Sequence, residues 1–178
     1  MNITVFGGAQ PQPATPAYEE AYRLGKILAE AGHTVLTGGY MGTMEAVSQG
    51  AAEAGGHVIG VTCEEIENWR KTGANAWVKE ERRTKTLMER LEALITGCDA
   101  AIALPGGPGT LTEIALMWNL MIVESLRRRP LVLVGDGWQS VFDQFFQSFS
   151  TYMPRNPDKE LWFAEDVETA AKMINGNW

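Results

Sequence analysis

The sequence predicts an α/β fold: a Rossmann-like, doubly wound parallel sheet with helices on both faces, in a single domain over residues 1–178. Three observations predict it. Short apolar runs without period-two alternation recur between amphipathic helical stretches, as strands buried on both faces do. Three of those runs end in paired glycines, Gly7-Gly8, Gly38-Gly39 and Gly106-Gly107. A length of 178 residues with 45% hydrophobic content suits one core with two covered faces, since chains usually divide only beyond roughly 250 residues.

The elements follow in order. Ile3–Phe6 is a first strand closed by Gly7-Gly8. Pro16–Ala31 carries Ala21, Leu24, Ile27 and Leu28 at helical spacing and stops at Gly32. Thr34–Thr37 is a second strand closed by Gly38-Gly39, Met41–Ala54 a helix, and Val58–Val61 a third strand. Thr62–Asn75 reads as a loop with at most a helical turn, and Ala76–Val78 as a short strand. Arg83–Gly97 sets Leu87, Leu91, Leu94 and Ile95 on one helical face. Ala100–Leu104 is a continuous apolar strand, followed by a Gly/Pro loop and a helix from Leu111 to about Ser125. Leu131–Val134, Val141–Phe149, Leu161–Phe163 and Val167–Ile174 continue the alternation. Ligands of such sheets bind beyond the carboxyl ends of the strands, so the site is expected among the three glycine loops.

Charge and composition narrow the partners. A formal net charge of -7 argues against a broad nucleic-acid footprint, yet leaves room for a small phosphorylated ligand held by backbone amides and a few arginines. No apolar run approaches the ~20 residues that span a bilayer. Met1–Phe6 reads as a strand rather than a signal peptide, so a cytoplasmic protein without a membrane partner is expected. The isolated Cys63 and Cys98 fit a reducing compartment, and His33 and His57 lack metal-ligand spacing. No metal is expected.

Pro105-Gly-Gly-Pro-Gly-Thr110 joins a buried strand to a helix. Glycines admit an anion close to the backbone, and the first helical turn offers unpaired N–H groups at a positive dipole end. The backbone candidates for holding a phosphate are Gly106, Gly107, Gly109 and Thr110, with Gly38, Gly39 and Gly42 in the second loop and Gly8 in the first. Glu113 is a candidate acid–base or electrostatic residue, although Thr110-Leu-Thr-Glu113 also reads as a capping box. Arg90 falls near the level of Pro105, about 12 Å up its helix at 1.5 Å per residue. The neighbouring strand climbs roughly 16 Å at 3.3 Å per residue. Arg82, Arg83 and Lys85 compete with it. The second strand ends in Thr37-Gly38 without the acidic residue a dinucleotide dehydrogenase uses, and neither a P-loop nor a nucleophile elbow is present.

Pro105-Gly-Gly-Pro-Gly-Thr-Leu-Thr-Glu113 resembles the P-G-G-x-G-T-x-x-E signature of the LOG (LONELY GUY) family, cytokinin riboside 5′-monophosphate phosphoribohydrolases often mislabelled lysine decarboxylases. Asp99 before the preceding strand, Gly38-Gly-Tyr-Met-Gly-Thr-Met44 and Val5-Phe-Gly-Gly8 are similar to that family as well. The resemblance implies hydrolysis of the N-glycosidic bond of a nucleoside 5′-monophosphate, AMP or an N6-substituted AMP. Arg90 and Glu113 would be the catalytic pair, with no cofactor, in a homodimer packed partly through the helix after the motif. The family's arginine is followed by lysine; here Leu91 follows Arg90, and Thr112 stands where an acidic residue is common. The alternative is therefore a nucleotide or molybdenum-cofactor carrier or sensor of the same fold that binds without hydrolysing.

Overall fold

A computed structural model describes residues 1–153 and 157–176. Its strands are β1 (Asn2–Phe6), β2 (Thr34–Thr37), β3 (Val58–Cys63), β4 (Glu80–Thr84), β5 (Ala100–Ala103), β6 (Leu131–Val134) and β7 (Trp162–Ala164). They form one sheet in the order β4-β3-β2-β1-β5-β6-β7, and every neighbouring pair is parallel. The helices are α1 (Pro16–Glu30), α2 (Thr43–Glu53), α3 (Glu64–Arg70), α4 (Leu87–Thr96), α5 (Pro108–Ile122), α6 (Asp136–Ser148) and α7 (Val167–Asn175).

Two apolar clusters cover the two faces. Leu24 and Leu28 of α1, Val47 of α2 and Ile174 of α7 pack with Ile3, Val35 and Ile102 on one side. Leu94 and Ile95 of α4, Met117 and Met121 of α5 and Phe142 of α6 pack with Phe6, Ala101 and Leu133 on the other. Alternate residues of one strand thus enter opposite cores, which is why the central strands are apolar throughout. No helix of the described residues is long and apolar enough to cross a membrane.

The order of the strands reverses between β1 and β5. Chains leaving those two strands turn apart to opposite faces and open a crevice at the carboxyl edge. The loops after β1 (Gly7-Gly8) and after β5 (Pro105–Gly107) form its lips.

Several elements differ from the sequence reading; among them α5 and α6 start at Pro108 and Asp136 rather than at Leu111 and Val141. Ala76–Val78 is not a strand; the fourth strand is Glu80–Thr84. Its residues are Glu-Glu-Arg-Arg-Thr and it lies at the sheet edge, where exposed charge replaces the apolar pattern of an interior strand. The helix carrying Arg90 consequently begins at Leu87 rather than Arg83, behind a capping box of Thr86 and Glu89. Residues 64–70, read as loop, form α3.

α1 and α2 cross closely through glycine. A Cβ on Gly25 would collide with the Val47 carbonyl oxygen, and one on Gly50 with that of Tyr22. Gly25→Ala is expected to force the two backbones apart and to lower stability by ~1–3 kcal/mol, read as a lower urea midpoint with unchanged slope.

Candidate active site

Pro108 occupies the first turn of α5, where its missing N–H costs nothing, and Gly107 is the residue before it. The helix thus starts one turn earlier than the sequence suggested, and Thr110–Glu113 is not a capping box. No side chain caps this end. Glu113 lies a turn inside the helix, 7% exposed, with Thr110 buried beside it.

The glycines divide by what demands them. A Cβ on Gly106 would strike the Thr110 side chain, and one on Gly38 would strike the Arg90 guanidinium and the Met44 sulfur. Gly42, at φ 74°, leaves no room against the Gly8 carbonyl and Ala9, and Gly39, at φ 77°, presses on Thr62. At Gly107 and Gly109, by contrast, a Cβ would meet nothing within 4 Å, and neither has a positive φ. No packing within the described residues requires glycine there. These are the positions where an external group gains from approaching bare backbone.

Arg90 is only 6% exposed. Its Nε donates to the Val61 carbonyl at 2.8 Å and its Nη2 to the Gly38 carbonyl at 3.2 Å, tying α4 to the ends of β3 and β2. The guanidinium lies 5.6 Å from the centre of the Tyr40 ring. Tyr40 is itself fixed, donating to the Cys63 carbonyl at 3.1 Å and accepting from the Cys63 N–H at 2.7 Å. The remaining Nη1 faces Glu113 Oε1 at 3.8 Å. That is an ion pair too long for a hydrogen bond, so the two groups share a gap rather than a bond.

Burial dominates the electrostatics. Loss of water pushes the Glu113 carboxyl up from 4.5 to about 7, with Arg90 pulling the other way. Burial also lowers Arg90, against the opposing pull of Glu113. Each partner is thus shifted toward its neutral form, as expected when a loose pair does not repay its desolvation.

Both residues line a cavity of about 460 Å³ at the carboxyl edge, within the range of roughly 300–1,000 Å³ of small-molecule sites. Gly7, Gly8, Gly107, Gly109 and Thr110 form one end, and Ile66, Trp69, Arg70 and Leu87 another. Of the sequence candidates, Gly8, Gly107, Gly109, Thr110, Arg90 and Glu113 come together here, while Gly38, Gly39, Gly42 and Gly106 stand behind the lining. The competing cations lie elsewhere: Arg82 pairs with Glu80 at 2.7 Å and Arg83 with Glu67 at 2.6 Å on the exposed edge. The α3 wall was not foreseen, because seven residues with none buried carry no periodic signal.

Residues 1–151 match the model of the SLOG cluster4 family. The cytokinin riboside 5′-monophosphate phosphoribohydrolase of Rhodococcoides fascians is 31% identical over 143 residues, 76% of this chain and 68% of that protein. The enzyme LOG of Oryza sativa subsp. japonica, of the same description, is 33% identical over 80% of this chain, which spans 59% of the rice protein's length. Among solved structures, the molybdenum cofactor binding protein of Rippkaea orientalis superposes with a TM-score of 0.75 at 28% identity, covering 98% of this chain and 94% of that one.

The raised Glu113 carboxyl makes stability depend on pH with a definite sign. The folded state binds its proton more tightly than the unfolded chain, so the contribution is full below about pH 4.5 and is lost as pH rises through about 7. Between pH 5 and pH 8 the parent protein is expected to lose on the order of 2 kcal/mol that Glu113→Gln does not lose. Urea unfolding at both pH values measures it; parallel profiles would assign the titration elsewhere.

Proposed function

The chain belongs to the LOG family, its residues 1–151 matching SLOG cluster4, and from that premise we propose that it hydrolyses the N-glycosidic bond of a nucleoside 5′-monophosphate. AMP or an N6-substituted AMP would yield the free base and ribose 5-phosphate. The observation that carries this reading is the buried Arg90–Glu113 pair on the floor of a crevice whose rim is bare glycine backbone.

The 5′-phosphate would sit on Gly107, Gly109 and Thr110, where first-turn N–H groups have no helical partner and the α5 dipole is positive. The ribose would then lie over Glu113. As the C1′–N9 bond lengthens, positive charge grows on the sugar ring, and the carboxylate of Glu113 stabilises it and orients water. Water's oxygen bonds to C1′, and its proton leaves with the departing base. Arg90, held by two backbone carbonyls, pulls the Glu113 carboxyl back toward its ionised form, so that it can act near neutral pH. No metal or organic cofactor enters this scheme.

A second reading is a carrier or sensor that binds a nucleotide or the molybdenum cofactor without turnover. Leu91 in place of lysine and the likeness to a molybdenum cofactor binding protein favour it.

Assembly is part of the proposal. On α5, Ile114, Met117, Trp118 and Met121 are buried and Leu116, Leu120 and Ile122 half-buried, while Leu111 and Val123 are 42% and 57% exposed. A homodimer packed partly through this outer stripe would cover it. Sedimentation at micromolar protein is expected to give twice the 19.5 kDa chain mass; a monomer would contradict it.

The chemistry is tested by offering AMP and an N6-substituted AMP beside their nucleosides and following free base by chromatography. Cleavage is expected of the monophosphates and not of the nucleosides, since remote phosphate binding positions the reacting bond. Glu113→Gln should reduce turnover by orders of magnitude with nucleotide binding retained. Binding by the parent protein without release of base would favour the carrier reading.

A further inference from the structure

The wall of the crevice opposite the glycine rim is built from α3, an element outside every motif in the sequence. Two carboxylates hold it. Glu67 pairs with Arg83 of β4 at 2.6 Å, and Glu65 accepts from the Leu87 N–H at the start of α4 at 2.8 Å. With those acids anchored on neighbouring elements, Ile66, Trp69 and Arg70 line the cavity.

Trp69 is 74% exposed, although it is among the largest apolar side chains in the protein. The Arg70 guanidinium lies over its ring, 4.8 Å from the centre, so the indole already has one cationic partner while most of its surface stays exposed. An exposed indole that lines a small-molecule cavity beside a cation suits a planar aromatic ligand.

The topology sets the distance. The glycine rim follows β5 and α3 follows β3, with β1 and β2 between them. Three strand spacings of about 4.8 Å separate the two walls by roughly 14 Å. Arg90 bridges this floor, bonded to the ends of β3 and β2 and facing Glu113 on α5. An elongated ligand with its anion at the rim and its bond to be broken over Glu113 therefore carries its remaining part toward α3.

We propose that Trp69, backed by Arg70, is the base-recognition platform of this site, stacking on the purine of the bound nucleotide. The inference rests on the nucleoside monophosphate reading above. Ile66, Leu87 and Met44 of the same cavity are apolar, the Tyr40 hydroxyl is taken up by Cys63 and the Arg70 guanidinium lies over Trp69, which leaves few polar groups to read the edge of a base. Recognition is thus by stacking and shape, tolerant of which purine is bound, and it acts on affinity rather than on the bond-breaking step.

The test measures binding by calorimetry in a Glu113→Gln background, so that the ligand is not consumed, with AMP, GMP and ribose 5-phosphate as probes. Trp69→Ala, a substitution at an exposed position, is expected to weaken AMP and GMP alike by about tenfold or more, and Trp69→Phe to restore most of the loss. Ribose 5-phosphate, which has no base, should bind all three proteins equally. In the otherwise unaltered enzyme Trp69→Ala should raise KM and leave kcat near its original value. Unchanged AMP affinity, or equal weakening of ribose 5-phosphate, would overturn the platform while leaving the phosphate end intact. A parent protein that binds neither AMP nor ribose 5-phosphate would overturn the nucleotide reading itself.

Discussion

Removing a guanidinium and a carboxylate from water is expensive, and Arg90 and Glu113 stand 3.8 Å apart with little else to offset that expense for Glu113. The rest of the crevice is arranged around this constraint. Arg90 reaches its place only because Gly38 has no side chain, and it stays there because two carbonyls from the ends of β2 and β3 accept its N–H groups. The Gly38 carbonyl lies just past the end of β2, and the Val61 carbonyl just past the last β2–β3 pair, Thr37 with Gly60, so β2 itself no longer claims them. Glu113 receives no such help, so its proton affinity rises to about 7. An under-solvated carboxyl beside a fixed cation, open toward a cavity, stabilises a developing positive charge better than a solvated one, because no water shell must reorganise.

The same economy explains the loops. The carboxyl edge of a parallel sheet gathers several chain reversals into one place, and close packing there consumes glycines for internal reasons. Gly38, Gly39, Gly42 and Gly106 are used in that way, to clear space for Arg90, Thr62, Gly8 and Thr110. Gly107 and Gly109 are not. One motif therefore contains both glycines that build the crevice and glycines that leave its rim bare, a distinction invisible in a string of letters.

The parts legible in the sequence were those with a local signal. Interior strands such as Ala100–Ala103 are apolar at every position because both faces are covered, and helices such as α1 repeat at the helical period. Arg90 was placed at the right level by rise per residue alone, yet its burial was not foreseen, since it depends on carbonyls 29 and 52 positions away. β4 was missed because an edge strand of Glu-Glu-Arg-Arg-Thr hides in the statistics of a charged helix start. The apparent capping box at Thr110 followed from placing the start of α5 at Leu111, when Pro108 already occupies the first turn. α3 and Trp69 gave no signal, since a seven-residue helix with no buried face is held by partners distant in sequence.

The departure from the LOG pattern at Leu91 also has a structural context. The side chain is 5% exposed, packed on the inner side of α4, so this position contributes no charge to the crevice. Among the described residues, Arg90 has only Glu113 as a facing carboxyl, 3.8 Å away and raised to about 7 by burial. A doubly charged phosphate in the proposed position would meet the dipole of α5 at one end and, from the opposite wall, the guanidinium of Arg70. Arg70 is exposed and lies over the Trp69 ring, whereas the position beside Arg90 is buried. Long-range attraction without a fixed contact raises ligand affinity while leaving the geometry at Glu113 to be set by the phosphate loop alone. On the proposed phosphoribohydrolase reading, the missing lysine would alter how the ligand's charge is balanced more than how its glycosidic bond meets the carboxylate.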